Sequence, residues 1–137
     1  MTEAIVLLPD HMHMIWRLPP GDSDYSGLLA RIKRRFTQAY LAAGFAGADV
    51  THGQKRKGYR GVWQPRFWEH TIRDERDFKM HLDCTHMNPV KHRLVAKPAD
   101  WPWSIFHRYV RMGEYEVDWC GRTDLPDQVE YYSGDPE

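Results

Sequence analysis

Residues 7–16 read LLPDHMHMIW. An apolar run enters a Pro-Asp corner, and two histidines follow with a single residue between them. In a strand, side chains alternate between faces. His11, His13 and Ile15 therefore point one way, and Met12, Met14 and Trp16 the other. Upstream, residues 4–8, AIVLL, form a short β-branched apolar run that predicts a buried strand. Pro9-Asp10 breaks it. The stretch thus predicts two strands meeting at a corner. It also places two imidazoles on one strand face, about 6.5–7 Å apart along the chain. Both can reach one divalent cation, because imidazole suits first-row metals. Two half-buried histidines with satisfied hydrogen bonds would carry the same pattern.

Working outward, PPGDSD at 19–24 predicts a loop. SGLLARIKRRFTQAYLAAGF at 26–45 predicts a helix, with Leu28, Leu29, Ile32, Phe36, Ala39 and Tyr40 as its apolar stripe. Ser26 is the expected N-cap and Gly44 the expected stop. Arg31, Lys33, Arg34 and Arg35 lie off the stripe's centre, facing solvent or a ligand. THGQKRKGYRGVWQPR at 51–66 is polar, contains Gly and holds five bases without an acid, which predicts a mobile loop. RFWEHTI at 66–72 fits a strand. Asp74 then caps a helix, with Asp77 as a capping-box-like partner, and Pro89 is expected to end it. On that helix Phe78, Leu82 and Thr85 form the apolar stripe, and His81, Cys84 and Asn88 share the adjoining face. WPWSIFHRYV predicts a short aromatic helix or turn, with Trp101, Trp103 and Phe106 closing the core. Residues 122–137 form an acidic tail expected to fray.

The chain has 137 residues and a formal net charge of zero, but the charge is unevenly spread. Residues 31–66 hold nine bases and one acid, whereas residues 101–137 hold three bases and eight acids. A basic middle is the usual footprint of a polyanion partner, although a solvated charged loop has the same composition. Aromatics make up 13%, including six Trp, which gives large pieces for a small core or flat faces for stacking bases. The two cysteines, Cys84 and Cys120, form no Cys-x-x-Cys pair and suggest no disulfide framework. The N-terminal apolar run is too short for a signal peptide or a membrane span. A cytoplasmic protein is expected.

The motifs LPDHMH, WQPRFWEHTIRDE, HMNPVKHRLV and DWPWSIFHRYV occur here in one order across residues 4–121. Together they resemble the REP-associated tyrosine transposases, a branch of the single-tyrosine HUH transposases, where HUH is His, a hydrophobic residue and His. The resemblance implies an α+β, ferredoxin-like fold, an antiparallel sheet with helices on one face, over residues 1–121. It implies a divalent metal, Mg²⁺ or Mn²⁺, on His11, His13 and Asn88, whose amide oxygen is a hard ligand. Asn88 would equally serve as a helix C-cap before Pro89. The implied substrate is single-stranded or hairpin DNA of the REP type. In such enzymes a tyrosine attacks the phosphodiester, leaving a 5′-phosphotyrosine and a free 3′-OH, so the strand can be rejoined elsewhere without a nucleotide cofactor. Arg31, Lys33, Arg34, Arg35, Lys55, Arg56, Lys57, Arg60 and Arg66 would neutralise phosphates. Tyr59, Trp63 and Trp68 could stack on bases, though Trp63 and Trp68 equally suit a core.

Two departures stand out. The family pattern is roughly Asp-Tyr-Ile-His-x-Asn-Pro-Val, and this chain reads Asp83-Cys84-Thr85-His86-Met87-Asn88-Pro89-Val90. Cys84 therefore occupies the position of the nucleophilic tyrosine. A sulfur–phosphorus link is a poor substitute for an aryl phosphate, and a Cys beside two His favours a softer metal such as Zn²⁺. Second, the chain begins at what would be the family's second strand, so the first strand and helix are expected to be missing. A homodimer would cover part of the exposed edge. Three functions follow: a nuclease and strand transferase, a hairpin-binding module that cuts nothing, or an unrelated His-x-His hydrolase using activated water. Among the other histidines, His81 is the one to watch, because it shares a face with Cys84 and Asn88.

Overall fold

The computed structural model describes residues 1–65 and 67–121. Arg66 and the acidic tail at 122–137 lie outside the described residues. The elements are β1 (Thr2–Leu7), β2 (Met12–Trp16), α1 (Tyr25–Ala42), α2 (His52–Arg56), α3 (Glu75–Lys91) and α4 (Phe106–Arg111), with a short 3-10 turn at Pro98–Asp100. The described residues form two compact units: residues 1–17 with 70–121, and residues 18–65 with 67–69.

In the first unit, β1 and β2 pair antiparallel, with Ala4 opposite Ile15, Val6 opposite His13 and Leu7 opposite Met12. The corner at Pro9-Asp10 is closed by the Leu8 N–H donating to His11 O at 2.8 Å. The other edge of β1 meets the 103–105 segment: Leu7 N–H donates to Trp103 O at 2.8 Å and Ile105 N–H to Ile5 O at 3.0 Å. Ala4, Val6 and Ile15 are buried. Ala4 and Ile15 join Leu82 of α3, Phe106 of α4 and Tyr115 in one core cluster. The alternation read from the sequence thus orients the strands. Because Val6 opposes His13 across the ladder, the histidine pair sits at the end of the face that Ala4 and Ile15 bury.

Helix α3 runs through Pro89 rather than ending before it. Proline removes one amide donor and disfavours the helix interior. Here Asn88 and Pro89 are both buried, and packing holds one further turn until His92 caps it by donating to Asn88 O at 3.0 Å. The start of α3 is as expected: Asp74 Oδ1 accepts from Asp77 N–H at 2.8 Å. Residues 67–72 form no strand among the described residues, although β-branched and aromatic side chains suggested one. Trp101 is half-buried and donates from Nε1 to Leu7 O at 2.8 Å. Trp103 is exposed and Phe106 fully buried, so the expectation of a closing aromatic core holds for Phe106 and fails for Trp103.

In the second unit, α1 begins one residue before the expected N-cap. Asp24, not Ser26, accepts from Gly27 N–H, since its carboxylate also complements the helix N-terminus. Gly44, at φ +92°, ends the helix as expected. The 51–66 segment is more ordered than its composition suggested. Thr51 and Gln54 form a reciprocal capping box that starts α2. Gly61, at φ +73°, lets its backbone meet residue 48; a Cβ there would lie 2.0 Å from Ala48 O. No helix among the described residues is long and apolar enough to cross a membrane.

Candidate metal centre and nucleic-acid interface

The ring of His11, just before β2, and that of His13, on β2, lie edge to face, 5.2 Å between centroids. The Asp10 carboxylate, supplied by the corner, holds His11: its Oδ1 is 2.6 Å from His11 Nδ1. That contact orients the ring and leaves Nε2 as the atom available to a ligand. His13 faces α3, and the Asn88 side chain is close enough to influence its titration. Burial first, then the neighbouring His11 and His92, push the His13 pKa down to about 4. His13 is therefore neutral at pH 7, with a lone pair to offer. Asn88 is buried beside His13, and its Oδ1 meets no donor in good hydrogen-bond geometry among the described residues. A buried amide oxygen without a donor is costly and calls for a cation or a water. The set of two imidazoles, His13 neutral, and one amide oxygen therefore fits a divalent ion.

His92 was not singled out by sequence, yet its ring lies 4.7 Å from that of His11. Its signal was spacing: His92 follows Asn88 by four residues, one turn along the same helix face. Cys84 precedes Asn88 by four, and the Asn88 Nδ2 donates to Cys84 O at 3.5 Å. The helix thus aligns Asp77, His81, Cys84, Asn88 and His92 along one stripe, and position 84 lies in its middle. Burial and the adjacent Asp83 raise the Cys84 thiol pKa. Neither downstream tyrosine substitutes for it. Tyr109 Oη donates to Glu3 O at 2.8 Å, and Tyr115 Oη to Asp83 Oδ1 at 2.5 Å. Burial followed by the Asp83 hydrogen bond drives the Tyr115 pKa far up.

The other end of the stripe carries a second histidine group. His70 Nε2 lies 2.9 Å from Asp77 Oδ2, and His81 Nδ1 lies 3.1 Å from Asp77 Oδ1. The two rings stack 4.4 Å apart at 6°. The His70 contact and the Arg73 N–H hold the Asp77 pKa down to about 2.

The basic residues belong to the second unit. Arg31, Arg34, Arg35, Lys55, Arg56, Lys57 and Arg60 are exposed. Lys33 is half-buried: its Nζ lies 5.8 Å from the Trp63 ring centroid and 5.6 Å from that of Phe67, and donates to Gln64 O at 3.3 Å. Lys33 thus differs from its exposed neighbours, because two aromatic faces attract it. Of these basic side chains, Lys33, Arg34 and Arg60 line a concavity of about 620 Å³ beside α1, together with Tyr59, Trp63 and Phe67. Trp63 is half-buried and Trp68 exposed, so Trp68 is not core.

An α+β unit in which a His-hydrophobe-His segment faces a helix bearing a buried amide matches what the resemblance implied for the HUH centre. No family model matches the chain. The chain is 45% identical over 118 residues to a REP-associated tyrosine transposase of Escherichia coli K12, spanning 86% of its own length and 61% of that relative's. It is 43% identical over 126 residues to a relative of Haemophilus influenzae with the same family name, covering 90% of this chain and 69% of the relative. A solved REP-associated tyrosine transposase bound to a REP hairpin superposes with a TM-score of 0.71 at 42% identity, covering 92% of this chain and 67% of that one. The chain belongs to the REP-associated tyrosine transposase family.

Proposed function

We propose that this chain grips single-stranded hairpin DNA of the REP type on the transposase scaffold, with its HUH centre intact and its covalent step lost at Cys84. The observation that carries this reading is the pairing of a neutral His13 with the buried Asn88 amide, next to a nucleophile position holding a thiol. His11, His13 and Asn88 hold the divalent ion. The mixed imidazole–amide set, without a carboxylate ligand, favours Mn²⁺ over Mg²⁺. When bound, the ion polarises the scissile phosphate and steadies the leaving oxygen.

The protein's own groups do the rest. Asp10 keeps the His11 ring oriented through Nδ1. Helix α3 presents residue 84 one turn before Asn88. The exposed arginines and lysines of the second unit neutralise the phosphates of the folded strand. At position 84 a tyrosine would supply the phenoxide oxygen. The thiol there is held protonated by burial and by Asp83, and its product would be a weak sulfur–phosphorus ester. Strand transfer therefore depends on restoring the tyrosine, and the native chain acts as a hairpin-binding protein of transposase ancestry in the cytoplasm.

The test is a denaturing gel of end-labelled hairpin DNA with Mn²⁺. The Cys84→Tyr variant is expected to form a slow-migrating covalent adduct and the native chain none. An adduct from the native chain would show Cys84 to be a working nucleophile. Binding by both proteins without an adduct from either would mean that the centre itself has failed. Cleavage by the native chain without an adduct would point to activated-water hydrolysis.

A further inference from the structure

The group at the N-terminal end of α3 has no part in the reading above, and its geometry calls for a cation of its own. We propose that His70, Asp77 and His81 bind a first-row divalent transition ion of the Zn²⁺ class, at a site separate from the β2 histidines. One ligand atom from each residue lies within 4.8 Å of the others. Asp77 and His81 are buried, and His70 is half-buried. The two imidazoles approach different oxygens of the same carboxylate, at 2.9 and 3.1 Å. Such separations are close to those between neighbouring ligands around an ion with bonds of about 2.0–2.2 Å.

The decisive feature is Asp77 Oδ1. Among the described residues it is buried and accepts no hydrogen bond, although His81 Nδ1 is near, because that nitrogen bonds instead to Asp77 O at 2.8 Å. The other oxygen, Oδ2, is satisfied by His70 and by the Arg73 N–H at 3.0 Å. A buried carboxylate oxygen without a donor is costly. A cation relieves that cost, and the Arg73 bond to Oδ2 orients the carboxylate as an outer-shell partner. Two imidazoles and one carboxylate form a borderline donor set, which suits Zn²⁺ rather than Mg²⁺. Binding displaces the proton from whichever ligating nitrogen carries it, and His81 gives up its bond to the Asp77 carbonyl. Arg73 Nε, 3.5 Å from Oδ2 on an exposed side chain, is free to turn toward solvent. The ion would fasten the irregular 70–73 segment to the first turns of α3.

The proposal is tested on the full chain with His11 and His13 both replaced by Ala, dialysed against chelator and then loaded with Zn²⁺ or Co²⁺. One equivalent is expected to remain, with Co²⁺ giving the visible bands of nitrogen–oxygen ligation. Adding His70→Gln or His81→Gln, which keeps a hydrogen-bonding group near Asp77, should weaken retention by more than about tenfold. Circular dichroism checks that each variant is folded. A folded double-alanine chain that retains no ion would overturn the proposal and leave a hydrogen-bonded tie only. Should that background fail to fold, the native sequence and His70→Gln are compared directly, and equal stoichiometry refutes the site. If the native chain and the double-alanine chain each hold one equivalent, the β2 centre fails while this site stands.

Discussion

Along one stripe of α3 two histidine groups handle charge in opposite ways. At the N-terminal end His70 and His81 meet the Asp77 carboxylate, which stays ionised down to about pH 2. At the C-terminal end His13 meets an amide, Asn88, with His11 and His92 as neighbours, and its pKa falls to about 4. A carboxylate brings its own countercharge, whereas an amide brings only a dipole. The first group is therefore a fixed anion awaiting a cation. The second pairs a neutral His13 with an amide, and its only carboxylate, Asp10, sits behind His11 among the described residues. Position 84 lies between them on the same helix stripe.

His86 gives the extreme case, a histidine with neither carboxylate nor amide. It is fully buried among Phe106, Tyr109, Tyr115 and Trp119. Burial first, then Lys79, press its pKa to about 3. The unfolded chain binds this proton near pH 6.5, and the folded chain does so only near pH 3. Between those values the unfolded state holds more protons, so stability falls as pH drops through the window and is constant above it. The expected loss from this residue alone is roughly 4 kcal/mol between pH 7 and pH 3. His13 adds to the loss between 6.5 and about 4. Urea midpoints at pH 7, 5 and 4 should fall steeply for the native chain and less for His86→Leu. Parallel falls for the two proteins would mean that His86 is not the buried neutral group described.

The second prediction exchanges the chemistry of the two ends. Asn88→Asp places a carboxylate beside His13, and the His13 pKa should rise by about 1–3 units from its value of about 4. Proton NMR titration of the ring measures it directly. Divalent-ion affinity should rise with it, because a charged oxygen replaces a neutral one. An unmoved His13 would show that burial alone sets its pKa and that the amide–carboxylate contrast does not separate the two ends.

The sequence carried the second of these groups more clearly than the first. His-x-His is a local pattern, and strand alternation alone places both rings on one face. Asn88 and Cys84 were legible because helical spacing aligned them. His92 obeyed the same spacing but lay beyond Pro89, where the helix was expected to stop; burial of Asn88 and Pro89 overrode that local rule. His70 was harder still. It lies in a segment whose side chains suggested a strand, and its link to Asp77 is a tertiary contact that no periodicity encodes. The capping box of α2 was hidden by composition: Thr51 and Gln54 hold the right spacing, yet Gly and Lys around them read as loop. Lys33 looked like its exposed neighbours because charge patterning does not reveal which lysine an aromatic pair will claim.

That last difference yields the smallest effect. Each phosphate contact made by a basic side chain contributes about one unit to the slope of log affinity against log salt. Arg34 is exposed and free to pair with a phosphate. Lys33 is held by Trp63, Phe67 and the Gln64 carbonyl, and burial lowers its pKa. Arg34→Ala should lower hairpin affinity about threefold more at 50 mM than at 200 mM salt, flattening the slope by about one unit. Lys33→Ala should weaken binding by a similar factor at both salts, because it loosens the Trp63–Phe67 wall rather than removing a counter-ion. Fluorescence anisotropy with a labelled hairpin at the two salt concentrations reads both. A flattened slope for Lys33→Ala would mean that the lysine leaves its aromatic seat to pair with a phosphate when DNA binds.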